Sequence, residues 1–204
     1  MFTVDDLEPL LMQILQSVVE SKDYLTQLDA QAGDGDLGVN MERGFSAIAA
    51  EVTQNHQKTL QAAFSACARS FNHAAPSTLG TVLSAGLLSF AQDCSGVVCL
   101  DRVNFSNMIE NAVKTMQELG GAALGDKTIL DSMVPYAASL KAQQEEKIWH
   151  SAAQAAQQAA EETALLTPRI GRARIYGEKT KGICDGGAVL FAIVAKAIAD
   201  YVES

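Results

Sequence analysis

Helical period runs through almost every window of this chain, while the alternating Val/Ile/Thr runs that make strands are nearly absent. The backbone therefore has one way to satisfy its buried N–H and C=O groups, which is α-helices packed against one another. Alanine is abundant and only four prolines interrupt the 204 residues, both of which favour helix. The pattern predicts helices near 4–27, 39–54, 57–72, 79–92, 103–119, 127–141, 143–166 and 187–202, the first capped by Thr3 with Asp5, Asp6 and Glu8 behind it. Eight helices joined by short connections predict an all-α antiparallel barrel or bundle, a single domain over 1–204, in which small Ala and Gly side chains let neighbours approach closely.

The charge balance is 15 basic against 24 acidic residues, a net −9, with no Lys/Arg cluster; this excludes nucleic acid as the expected partner. No apolar run approaches the ~20 residues that a membrane-spanning helix needs. Cys67, Cys94, Cys99 and Cys184 form no C-x-x-C pair, and the N-terminal residues lack the basic start and apolar run of a signal peptide. The expectation is reduced thiols in a cytoplasmic protein.

Glycine gathers in the connections, and chemistry is sought there. Residues 28–41 place Asp29, Asp34 and Asp36 within eight positions, spaced by Gly33, Gly35 and Gly38. Three adjacent anions repel unless a cation lies among them. A donor set of carboxylates without Cys or His selects a hard ion such as Mg²⁺, which typically shares its coordination with phosphates. The calcium EF-hand pattern fails at Gly38 and Val39. Gly33-x-Gly35-x-x-Gly38 matches the dinucleotide fingerprint in form only, because no strand precedes it and two aspartates would repel a pyrophosphate. An Asx-rich turn capping the second helix stands as the alternative.

Three further connections carry signals. Residues 120–128 miss the P-loop because Asp126 stands where lysine should follow glycine; Gly125, Asp126, Lys127, Thr128 and Asp131 read better as a helix start. Pro76, Ser77, Thr78, Leu79 and Gly80 suit either a phosphate or plain N-capping. Residues 168–187 form a long, basic, glycine-rich stretch in an acidic protein, whose cations have no internal anionic partner visible in the sequence, so anion contact is expected there. His56, His73 and His150 share no motif, and Trp149 and the methionines read as packing.

Taken in order, Gly33-Asp34-Gly35-Asp36-Leu37-Gly38-Val39-Asn40-Met41, then Gly125-Asp126-Lys127-Thr128-Ile129-Leu130-Asp131, then Gly171-Arg172-Ala173 with Gly177-Glu178-Lys179-Thr180 and Asp185-Gly186-Gly187-Ala188 strongly resemble the nucleotide-binding L subunit of dihydroxyacetone kinases. The resemblance implies an eight-helix antiparallel barrel whose loops at one end bind ADP or ATP through two Mg²⁺ ions. It assigns the metal ligands to Asp29, Asp34 and Asp36, and phosphate contacts to Leu37, Gly38, Val39 and Asn40 and to Thr78 and Leu79. Gly120 and Ile129 would line the nucleotide, and Arg172 with Asp185, Gly186 and Gly187 would form a lid. Leu37, Leu79 and Gly186 depart from the His, Ser and Pro of the best-known members. The resemblance further implies transfer of phosphoryl to dihydroxyacetone held on a separate K subunit. The donor is either exchanging ATP or ADP rephosphorylated by a phosphohistidine of a phosphotransferase-system M-type subunit. A kinase for another small keto-sugar and a non-catalytic nucleotide-binding regulator remain open, and a homodimer is compatible with the sequence.

Overall fold

The computed structural model describes residues 1–142 and 147–204. Among them it contains nine α-helices: α1 (Leu7–Glu20), α2 (Lys22–Ala30), α3 (Leu37–Asn55), α4 (Leu60–Ala74), α5 (Thr78–Asp93), α6 (Arg102–Gly120), α7 (Leu130–Lys141), α8 (Ile148–Glu162) and α9 (Gly186–Val202). The only strand-like pairing among the described residues is a single antiparallel bridge between Phe2 and Leu100. No helix among them is long and apolar enough to cross a membrane.

The helix expected over 4–27 is two helices. A 3₁₀ turn at Val4–Asp6, closed by the reciprocal Thr3–Asp6 capping box, leads into α1, and the chain then breaks at Ser21 before α2. The second piece extends to Ala30 and carries Asp29 on its last turn, where a loop residue was expected. The third helix starts two residues early, so Leu37 and Gly38 lie in its first turn. The eighth helix is described from Ile148, and the start expected at 143 falls outside the described residues.

Each helix packs on the next in sequence, α3 through α9, and α9 returns to α1, which packs on α3. The ring is therefore closed, a barrel with up-and-down topology. Glycine permits one of the close crossings: a β-carbon on Gly44 of α3 would stand 2.6 Å from the Phe71 ring of α4. Phe45 and Phe71 meet edge to face at 5.3 Å, as do Phe64 and Phe90 at 5.5 Å. The lumen keeps a cavity of about 620 Å³, lined by apolar side chains including Ile14, Phe64, Phe90 and Phe191.

Alternation of direction places the α2–α3, α4–α5, α6–α7 and α8–α9 connections at one end. At the other end, Glu203 accepts the N–H groups of Trp149 (2.9 Å) and His150 (3.2 Å), so the chain terminus caps α8.

Candidate functional site at the loop end of the barrel

Asp29 reaches across the turn that joins α2 to α3. Its Oδ2 accepts the N–H groups of Asp36 at 3.0 Å and Leu37 at 3.3 Å, which are among the donors a helix leaves unpaired at its start. Asp36 is the N-cap residue by position, yet its side chain makes no capping hydrogen bond. The capping role thus falls to Asp29, and Asp34 and Asp36 point free of it. One carboxylate oxygen from each of Asp29, Asp34 and Asp36 lies within 4.8 Å of the other two, with Asp29 half-buried and the others exposed.

The turn tolerates this crowding because two of its residues lack side chains. A β-carbon on Gly33 would collide with the Asp29 carboxylate, and one on Gly38 would collide with the Lys22 carbonyl and Thr26 Oγ1, so α3 can start flush against α2 only with glycine there. Gly35 holds φ at +74°. Carboxylate oxygens alone, gathered at the positive end of α3, form a donor set that fits a hard divalent cation shared with an anionic oxygen.

The long segment before α9 closes over the cluster. It is more ordered than its composition predicts, with 3₁₀ turns at Arg172–Ile175 and Gly177–Thr180. Three of its five cations are also paired, against expectation. Arg172 Nη1 is in contact with Asp34 Oδ2, Lys181 bonds Glu178 at 2.6 Å, and Arg169 lies 3.6 Å from Asp126. Two of these partners were hidden in the sequence because Asp34 and Asp126 come from other connections, whereas Glu178 lies within the segment itself. Tyr176, which no motif singled out, directs its hydroxyl to the Gly33 carbonyl at 3.5 Å.

Direct packing joins the remaining predicted positions. A β-carbon on Gly186 would stand 2.5 Å from Leu37 Cδ2, and one on Gly187 would stand 3.2 Å from Ile129 Cβ. The departures at Leu37 and Gly186 are thus in contact with each other. Gly120, at the end of α6, faces Val82 of α5, where a β-carbon would stand 3.6 Å from Cγ2. Thr78 and Leu79 open α5 at the same end, but the hydroxyl used for capping is that of Ser77, which accepts the Gly80 N–H at 3.0 Å. Val39 is half-buried and Asn40 buried on the first turn of α3.

Asp185 caps α9, its Oδ1 accepting the Ala188 N–H at 2.8 Å while its own N–H donates to Thr163 Oγ1 at 2.8 Å. Burial pushes its carboxyl up to about 7, with nearby Asp131 adding to the rise and Lys127 opposing it.

The connection before α7 is a structural turn, in line with its helix-start reading. Asp131 accepts from Gly125 N–H (2.5 Å) and Thr128 N–H (2.6 Å), and Asp126 accepts from Ala123 N–H (2.7 Å). Lys127 turns inward, a role the P-loop comparison could not reveal because its partners lie some forty and fifty residues on.

Comparison with known proteins places the fold in a family. A family model described as DAK2 domain matches residues 31–200. The chain is similar to an L-erythrulose kinase of Pectobacterium atrosepticum, 32% identical over 198 residues that cover 94% of this chain and 33% of that protein. It is also similar to the ADP-binding subunit DhaL of the PEP-dependent dihydroxyacetone kinase of Escherichia coli, 28% identical over 184 residues that cover 87% of this chain and 88% of the subunit. The crystal structure of the dihydroxyacetone kinase from C. freundii in complex with AMP-PNP and Mg²⁺ superposes with a TM-score of 0.78 at 24% identity, over 95% of this chain and 33% of that one. The barrel fold is therefore shared. The chain spans about a third of the length of the erythrulose kinase it matches.

Proposed function

Given that this chain belongs to the DAK2-domain family, we propose that it is the nucleotide-binding part of a kinase that phosphorylates a small ketose. The observation that carries the reading is the juxtaposition of Asp29, Asp34 and Asp36, within 4.8 Å, with Arg172 and the start of α3. Bound there, Mg²⁺ would neutralise charge on a polyphosphate, and two ions held by the three aspartates are in keeping with the resemblance.

The chain's own groups then have distinct tasks. The N–H groups of Gly38 and Val39 on the first turn of α3, with Asn40 beside them and the side chain of Leu37 against Gly186, form the floor for the phosphates. Thr78 and Leu79 at the start of α5 meet the phosphates, Gly120 and Ile129 border the nucleotide, and Asp185, Gly186 and Gly187 hold the lid at α9. Arg172 exchanges Asp34 for a phosphate oxygen and orients the transferred group with its planar fork. Positioning and electrostatics carry such a transfer, with no covalent protein intermediate.

The acceptor is a three- or four-carbon ketose, dihydroxyacetone or erythrulose, presented by a separate K-type domain or subunit. The reading is supported by the erythrulose kinase named above, about two thirds of whose length lies beyond the part matched by this chain and has room for an acceptor site. Either ATP exchanges for the spent ADP, or ADP stays bound and is rephosphorylated in place by a phosphohistidine of an M-type subunit.

Calorimetry tests the first part: MgADP binds, and excess EDTA lowers its affinity at least tenfold, since three carboxylates otherwise repel the phosphates. Unchanged affinity in EDTA refutes the metal-dependent site. Phosphoryl transfer from ATP to a panel of ketoses, with the K-type partner present, identifies the acceptor. Binding without transfer to any of them refutes the kinase and favours a regulator.

A further inference from the structure

Lys127 takes no part in the reaction just described, yet it is built as a functional residue is built. It is 4% exposed and holds a left-handed backbone with φ at +65°, which a non-glycine residue rarely adopts. Its ammonium donates to Thr180 O at 2.8 Å, Leu166 O at 3.2 Å and Thr180 Oγ1 at 3.3 Å. All three acceptors are neutral, and burial lowers the ammonium below the usual lysine range, with Asp185 opposing that shift. An apolar side chain of similar length would fill the same space without desolvating a charge. What the ammonium supplies is a single point at which two separate segments are held, beside the Gly182 N–H that donates to the Ala164 carbonyl at 2.9 Å.

Those segments are the two feet of the strap over the acidic cluster. Leu166 precedes the strap and Thr180 ends its second 3₁₀ turn, and Arg172 lies between them. The strap interior is lightly packed: β-carbons on Gly171, Gly177 and Gly182 would meet nothing within 4 Å. Its position therefore depends on its ends together with the contacts of Arg172 with Asp34 and of Tyr176 with the Gly33 carbonyl. The turn that carries Lys127 reinforces one foot, since Asp126 O accepts the Arg169 N–H at 3.2 Å, and the same turn carries Ile129 against Gly187.

We propose that Lys127 is a positioning residue that gathers both feet of the strap onto the α6–α7 turn and so sets the reach of Arg172 to the acidic cluster. The inference rests on reading that cluster as the metal–nucleotide site. A strap pinned at both feet samples far fewer conformations than one hinged at a single foot, so the guanidinium is presented already in place.

The test uses the full chain as wild type, Lys127→Met, Arg172→Ala and the double variant, with MgADP calorimetry and limited trypsin digestion. We expect Lys127→Met to keep its helical circular dichroism while cleavage within residues 169–181 accelerates at least tenfold. MgADP affinity should fall about tenfold in the wild-type background and less than twofold in the Arg172→Ala background, because the lysine acts through the arginine. Unchanged strap cleavage overturns the proposal, as does an equal loss of affinity in both backgrounds, which would mark a merely structural brace. If Lys127→Met does not fold, Lys127→Gly, which accepts the positive φ without strain, carries the same measurements. A wild type that fails to bind MgADP, with a strap still freed by Lys127→Met, supports the pinning and overturns the nucleotide reading instead.

Discussion

Removing one carboxylate from the acidic cluster should have opposite consequences depending on which is removed, and the pair Asp29→Ala and Asp36→Ala isolates the reason. Both substitutions relieve repulsion among oxygens within 4.8 Å of one another, about 1 kcal/mol per pair in water-like surroundings. Both also forfeit a negative charge near the start of α3, worth about 0.5 kcal/mol. Only Asp29→Ala strands the Asp36 and Leu37 N–H groups that its carboxylate accepts, a capping loss of about 1–2 kcal/mol. Without divalent metal, Asp36→Ala should therefore match or slightly exceed wild type, and Asp29→Ala should fall below Asp36→Ala by about 1.5 kcal/mol. For a chain of this size that separates their melting temperatures by roughly 3–6 °C. Thermal and urea unfolding followed by circular dichroism in EDTA measures the difference directly. Repeating it in Mg²⁺ should stabilise wild type and neither variant, because binding to the folded state alone raises stability. Equal melting of the two variants in EDTA, or a lower Asp36→Ala, would refute the assignment of capping to Asp29.

Other outcomes follow from the same packing. Gly38→Ala drives a methyl into the Lys22 carbonyl, so α3 must move off α2; we expect about 1–3 kcal/mol lower stability by urea unfolding and a weakened MgADP complex. Asp185 has a folded value raised to about 7 from 3.8, so the native state binds the extra proton and the associated stability is lost as pH rises from about 4 to 7. Water reaching this half-buried carboxyl screens the effect to about 1–2 kcal/mol. Asp185→Asn, which keeps a capping side chain, should remove that share of the pH dependence and become the more stable form at pH 8. His150 is raised above 6.5 chiefly by its hydrogen bond to Glu203, with burial opposing and Asp200, at 3.1 Å, adding to the rise. Its contribution is complete below pH 6.5 and is lost as pH climbs through the raised value, so His150→Gln should flatten thermal stability above pH 6.5 and leave MgADP affinity unchanged at the far end of the barrel.

Whatever rests on neighbours in the chain was legible from residue order. Helix against strand follows from local periodicity, and the hard-cation character of residues 29–36 follows from the donor atoms themselves. The helix-start reading of Asp131 held because its partners, Gly125 and Thr128, lie within six residues. Groups brought together from distant parts of the chain were another matter. Closure of the ring by α9 on α1, and the lumen it leaves, depend on how seven successive crossings accumulate, which no window of sequence records. The break at Ser21 carries no glycine or proline to announce it. Arg172 and Lys127 look alike as sequence signals, basic residues in glycine-rich connections, yet one faces the exposed Asp34 while the other is buried beneath the strap. A long basic side chain can be directed to solvent or inward with equal local ease, and its direction is decided by whichever oxygens the fold places within reach.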